Sequence, residues 1–212
     1  MRVRVVSMAL LVIAACGGGY IQRLPLQWSG VDTLPRSSTS VASAFAASPL
    51  SFGVRDVRPD PSAVGTYEED GFIVRTADNV GRYCADRMGE MLIHAGARMN
   101  QPPVAALEAE LLDYLVVEGD TFAGTVRIRV IVRRGGGAPW SKVYVGTSKR
   151  WGRTHNPENF NEALSNALAE ATSQLVQDED FASSLADLPA AGGPMQRPPL
   201  PPPPPPPGPP GS

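Results

Sequence analysis

The sequence predicts an α+β fold, an antiparallel sheet of about five strands with two main helices packed on one face. Three observations carry that expectation. Apolar residues alternate with polar ones from Leu107 to Val132, which is strand periodicity. They recur at spacings of three and four over Val80–Ala95 and again over Phe160–Val176, which is helix periodicity. The two ends of the chain, by contrast, lack the composition of a core, so the chain divides into 1–15, 16–48, a domain at 49–188 and a tail at 189–212.

The first segment resembles a secretion signal. Arg2 and Arg4 precede the apolar run Val5, Val6, Ser7, Met8, Ala9, Leu10, Leu11, Val12, Ile13, and Ala14, Ala15 and Cys16 follow it. The run is too short for a bilayer core, which needs about 20 apolar residues. Ile-Ala-Ala-Cys matches the pattern of bacterial lipoproteins, in which the cysteine becomes the first mature residue. The expectation is a diacylglyceryl thioether on Cys16, a further acyl chain such as palmitate on its amine, and a water-soluble body tethered to a membrane. Several acyl chains hold durably where one holds only marginally, at about 0.8 kcal/mol per buried methylene. Gly17 after the cysteine favours the periplasmic face of the outer membrane over retention in the inner one.

Gly17–Gly19 reads as a flexible leash. Tyr20–Val31 is apolar enough to dock on the body as an extended piece, which Pro25 confines to an edge. Ser37–Ser48, rich in Ser and Ala without a clear period, reads as linker or irregular surface. Leu50–Arg58 alternates Phe52, Val54 and Asp56 against Gly53, Arg55 and Val57 and stops at Pro59, a first strand with a charged exit. Gly65–Gly71 reads as a polar turn region ending in a tight reversal at Asp70 and Gly71, and Phe72–Thr76 as a second strand pairing with the first.

Thr76 or Asp78 is positioned to cap a helix whose stripe is Val80, Tyr83, Cys84, Met88, Met91, Leu92 and Ala95, ending at Gly96. After Pro102 and Pro103, Leu107, Ala109 and Leu111 share one strand face, and Leu112, Tyr114 and Val116 then take over the apolar phase. A shift of one between two alternating runs places a bulge near Leu111 and Leu112. Gly119 and Asp120 begin a turn into a strand with Val126, Ile128, Val130 and Val132 inward and Arg127, Arg129 and Arg133 outward. Gly135–Gly137 closes a hairpin to Trp140–Trp151. The outward arginines are expected to face Glu108, Glu110 and Asp113 across strands rather than form a phosphate-binding patch.

Asn156 then Pro157 is a helix start, with Glu158 at the positive end of the dipole. The stripe Phe160, Ala163, Leu164, Ala167, Leu168, Ala171, Leu175, Val176 is rich in alanine, which lets a helix lie close to a sheet. Asp178–Leu188 reads as a further helical turn docking Phe181 and Leu185. Seven consecutive prolines, Pro201 to Pro207, make the tail polyproline II or disordered.

The order of these pieces resembles the YajG-like bacterial lipoproteins. The resemblance lies in Val54-Arg55-Asp56-Val57-Arg58, His94-Ala95-Gly96-Ala97, Leu111-Leu112-Asp113-Tyr114, Trp140-Ser141-Lys142-Val143-Tyr144, Asn161 to Leu168 and Asp178-Glu179-Asp180-Phe181, and covers roughly Leu50 to Leu185. It implies an envelope location and an α+β fold, and it carries over no catalytic residue. The proline tail and the stretch before Leu50 depart from it.

Chemistry is sparse. A net charge of -2 gathers no nucleic acid. Cys84 is left without a partner once Cys16 is lipidated, so it is expected to pack as a small apolar group. The two histidines, His94 and His155, stand in no metal-ligand spacing. Glu68-Glu69-Asp70 and Asp178-Glu179-Asp180 lack the pattern of a calcium loop. No G-x-S-x-G or S-x-x-K occurs. No metal, cofactor or catalytic residue is therefore assigned, and the chain is not expected to be an enzyme. The possible functional loop is Asp56, Arg58 and Asp60, a charged run at a strand end. The expected function is a lipid-anchored structural or accessory envelope protein that binds another envelope protein, with peptidoglycan as a further possible partner. The alternative is an envelope enzyme or small-ligand-binding protein using the Asp56–Asp60 loop with His94.

Overall fold

The computed structural model describes residues 21–99, 101–133 and 138–186. The signal segment with Cys16, the glycine leash, the Gly135–Gly137 turn and the proline tail lie outside the described residues. The elements are α1 (Thr39–Ala47), β1 (Leu50–Asp56), β2 (Ala63–Tyr67), β3 (Ile73–Arg75), α2 (Val80–His94), β4 (Ala105–Glu118), β5 (Phe122–Arg133), β6 (Trp140–Arg150), α3 (Pro157–Gln177) and α4 (Glu179–Ala186).

The sheet has six strands in the order β3-β2-β4-β5-β6, with β1 also on β4. The β4–β5–β6 meander is antiparallel, with Val126, Ile128, Val130 and Val132 buried as the alternation demands. Its register slips between Leu111 and Asp113, where the phase change in the sequence places the bulge.

The other half of the sheet corrects the expectation. β1 lies parallel to the first half of β4, from Leu50 opposite Ala105 to Asp56 opposite Leu111. β2 lies parallel to the second half, from Gly65 opposite Val116 to Tyr67 opposite Glu118. The two thus sit end to end along one edge of β4. The segment read as a turn begins with the last three residues of β2, and β3 pairs antiparallel with β2 rather than with β1. The rest of it is the expected reversal, with Gly71 at φ +71° and the Phe72 N–H donating to Asp70 Oδ1 at 2.9 Å.

Two helices cover one face. α2 is capped by Asn79, whose Oδ1 accepts the Arg82 N–H, one residue beyond the expected Asp78. It ends where the Ala97 N–H bonds back to the Leu92 carbonyl around Gly96 at φ +103°. Cys84 is buried in its stripe, and burial pushes the thiol far up, so it packs as an inert apolar group. α3 starts at Asn156 with Pro157 in its first turn. Its Ala163, Ala167 and Ala171 are fully buried against Gly124 and Gly146 of the sheet.

Residues 21–48 pack on the body, and the stretch Ser37–Ser48, read as linker or irregular surface, holds a helix. An extended strap, 21–38, follows α3 in the same direction. Its start docks on the edge of β3, Leu24 N–H donating to the Arg75 carbonyl at 2.8 Å, and its end reaches the Val176 carbonyl through the Ser38 N–H at 2.9 Å. Between these, buried Asn161 grips the strap as a strand would: Oδ1 accepts the Gln27 N–H at 3.0 Å and Nδ2 donates to the Pro25 carbonyl at 3.1 Å. Asn161→Ala removes both bonds and is expected to lower stability by about 2 kcal/mol, at about 1 kcal/mol per bond, with faster hydrogen exchange at the Gln27 amide as the local readout. The strap leads into α1, capped by Ser38, which packs Phe45 edge-on against Phe181 of α4 with ring centroids 5.9 Å apart.

Candidate functional site

Asp56 and Arg58 are brought together, but for the fold. β1 and β2 both pair with β4, and the junction between them leaves carbonyls that no strand meets. Arg58, 9% exposed, turns into that junction. Its Nε and Nη2 donate to the two Asp56 carboxylate oxygens at 2.9 and 2.8 Å, Nη1 donates to the carbonyls of Ala63 at 2.7 Å and Tyr114 at 3.1 Å, and Nη2 also donates to the Pro61 carbonyl at 2.6 Å. A guanidinium has five N–H donors and all five are engaged. The guanidinium carbon also lies 5.8 Å from the centre of the buried Tyr114 ring. Arg58 stands in for the missing stretch of strand and has nothing left to offer a ligand.

Asp60 faces elsewhere. Its Oδ1 accepts the Ser62 hydroxyl at 2.7 Å and its Oδ2 accepts from Arg75 at 2.5 Å. These hydrogen bonds hold its carboxyl down to about 2, so it is no base at neutral pH. His94 is not near this loop. Asp56 lies against Gly81 in the first turn of α2, where a Cβ would stand 3.2 Å from the Asp56 Cβ. His94 ends the same helix, about 20 Å further along at 1.5 Å per residue, with its Nδ1 3.2 Å from the Pro35 carbonyl. The Asp56–Asp60 loop and His94 therefore form no common site.

The uncovered sheet face carries the expected ion pairs, Arg127 to Asp113 at 2.8 Å, Arg129 to Glu110 at 2.7 Å and Arg133 to Glu108 at 3.1 Å, with Arg55 of β1 also on Glu110. Such exposed pairs contribute about 0.2–1 kcal/mol each. β6 ends the sheet, and α3 reaches over part of its open edge: Glu170 accepts the Thr147 N–H at 2.7 Å and Gln174 donates to the Val145 carbonyl at 2.9 Å. Just past the C-terminus of α3 the second acidic cluster is also engaged, Asp178 accepting from Tyr144 at 2.5 Å and pairing with Lys142 at 2.8 Å.

Two larger concave features lie away from the Asp56–Asp60 loop among the described residues. One is a groove of about 540 Å³ between the strap at 30–36 and α3. The other, of about 440 Å³, opens where the β2–β3 turn, the β4–β5 turn and the loop before α3 meet. It is lined by Tyr67, Glu68, Glu69, Glu118, Asp120 and His155, with Gly119 and Thr154 between them. His155 adopts φ +57° there and its ring meets Tyr67 edge-on, centroids 4.9 Å apart. Sequence reasoning passed over Glu118, although a signal existed: it follows Tyr114 and Val116 in the inward phase of β4.

Glu118 is 4% exposed, and burial raises its carboxyl above the ordinary range, partly offset by the His155 N–H. A carboxyl raised in the folded state binds its proton there before the unfolded chain does. The contribution of Glu118 to stability therefore rises as pH falls through the raised value and levels off below the ordinary one. Glu118→Gln is expected to gain about 1 kcal/mol at pH 7 and to flatten that rise, read from urea midpoints between pH 4 and 8.

Among the described residues no helix is long and apolar enough to cross a membrane. No family model matches the chain, and no curated protein matches it. Solved structures do. A Xanthomonas campestris protein of the DUF330 family is similar at TM-score 0.48 and 11% identity, covering 73% of this chain and 91% of its own. A protein from Caulobacter crescentus CB15, provisionally described as a lipoprotein, is similar at TM-score 0.40 and 14% identity, covering 70% and 97%. The PelC dodecamer from Paraburkholderia phytofirmans is similar at TM-score 0.37 and 13% identity, covering 66% and 92%.

Proposed function

We propose that the chain is a YajG-like, lipid-anchored protein of the bacterial envelope, held on the periplasmic face of the outer membrane through Cys16, and that it acts as a structural or accessory component binding another envelope protein. The observation that carries this is the order of basic start, short apolar run, small residues and cysteine in Met1–Cys16. The folded body supports it in two ways. The strap is fixed from Ile21 onward, and Ile21 lies five residues beyond Cys16, a span of at most about 18 Å. A lipid on Cys16 would hold the β2–β3 end of the body close to the bilayer. Second, the charged loop that would have served an enzyme is bonded internally, leaving surfaces suited to binding.

The proline tail is the segment proposed to contact the partner. Crosslinking in intact envelopes with the full chain and with a chain lacking residues 189–212 tests this. The full chain is expected to give a discrete adduct that the shortened chain loses, and an adduct unchanged by the deletion overturns the assignment of the tail.

A further inference from the structure

Glu118 is the one buried carboxylate of the acidic cavity, and only half of it is used. Its Oε1 accepts the His155 backbone N–H at 2.8 Å, whereas Oε2 is buried with no hydrogen-bond partner among the described residues. An unsatisfied oxygen of a buried carboxylate is costly, and the cavity it lines is where a donor can reach it. Glu68, Glu69 and Asp120 add negative charge around the same space, and no lysine or arginine among the described residues lines it. The Glu68 carboxylate leans over Gly119, at the turn that follows Glu118. We propose that this cavity binds an alkylammonium group, whose N–H donates to Glu118 Oε2.

The geometry favours that cation over others. Among the described residues no three His, Cys, Asp or Glu side chains converge as metal ligands. A guanidinium binds best to both oxygens of a carboxylate at once, and one of these is already taken by His155. An ammonium needs a single acceptor, and Oε2 is one. The surrounding carboxylates raise the local concentration of cations before contact. The strap begins at this wall, since the Ile21 N–H donates to the Tyr67 hydroxyl at 2.9 Å. On the proposed lipid anchoring, which this one step assumes, the cavity therefore lies near the bilayer surface. The group then has two sources, the ethanolamine headgroup of a phospholipid or a lysine of a partner protein.

Butylammonium titrated into the full mature chain in maltoside detergent, followed by the Gly119 and His155 amide signals, tests binding independently of the lipid anchor. Saturable shifts are expected with butylammonium and none with the uncharged N-butylacetamide. Glu118→Gln is expected to weaken binding about tenfold, and Glu69→Gln, at an exposed rim position, about twofold. Absence of saturation, an equal response to the amide, or unchanged affinity in both variants overturns the proposal. Nanodiscs of phosphatidylethanolamine against phosphatidylcholine, and a lysine peptide against its Nε-acetylated form, then assign the source. Silence in both pairs also overturns it.

Discussion

Arg58→Met is expected to lower the stability of the body by about 3–5 kcal/mol, the range for removing one partner of a buried pair. The loss has two parts. Asp56 keeps a carboxylate that no guanidinium neutralises, and the carbonyls of Pro61, Ala63 and Tyr114 lose their donor at the β1–β2 junction. The double variant Asp56→Asn with Arg58→Met relieves only the first part and is expected to recover about 1–2 kcal/mol, because the carbonyls stay unmet. Urea unfolding of the wild type, both single variants and the double variant separates the two contributions. If Arg58→Met unfolded at the wild-type midpoint, the account of the junction would fail.

The second large effect is expected where α3 meets the sheet. A Cβ on Gly146 would lie 1.9 Å from the Ala167 carbonyl oxygen and 2.5 Å from the Ala171 nitrogen, both backbone atoms of a helix that must move as a unit. Gly146→Val is expected to cost at least about 3 kcal/mol, at the upper end for overpacking, or to prevent folding. Gly53→Ala, in a strand with no atom within 4 Å of the new Cβ, is the control and is expected to be near neutral. Thermal unfolding that ranked the two alike would mean that α3 does not sit this close to β6.

Much of this was legible in the sequence because the signals are local. The phase change at Leu111 and Leu112 located the bulge, Asn156 and Pro157 located the start of α3, and its alanine stripe announced the close approach that Gly124 and Gly146 complete. The arginines of β5 found the carboxylates of β4 because antiparallel neighbours with matching alternation leave few other registers. The parallel pairing of β1 and β2 with β4 was not legible, since partners about 50 residues apart leave no local pattern. Gly65 hid β2 by breaking its alternation. α1 was missed because its stripe is only three residues long, Val41, Ala44 and Phe45 within a run of Ser and Ala, and the Phe181 ring that Phe45 packs against lies far along the chain. Asp56, Arg58 and Asp60 looked functional for the reason that makes them structural: a charged run beside a strand end marks a place where backbone groups need partners.

Membrane fractionation of the wild type and Cys16→Ser, with mass spectrometry of the mature chain, tests the proposed anchor most directly. The wild type is expected to stay with membranes through a high-salt wash and to carry the added mass of its acyl chains. Cys16→Ser is expected to leave the membrane fraction without that mass while keeping the wild-type unfolding midpoint. Retention of Cys16→Ser in the membrane, or a wild type with no added mass, would contradict the account.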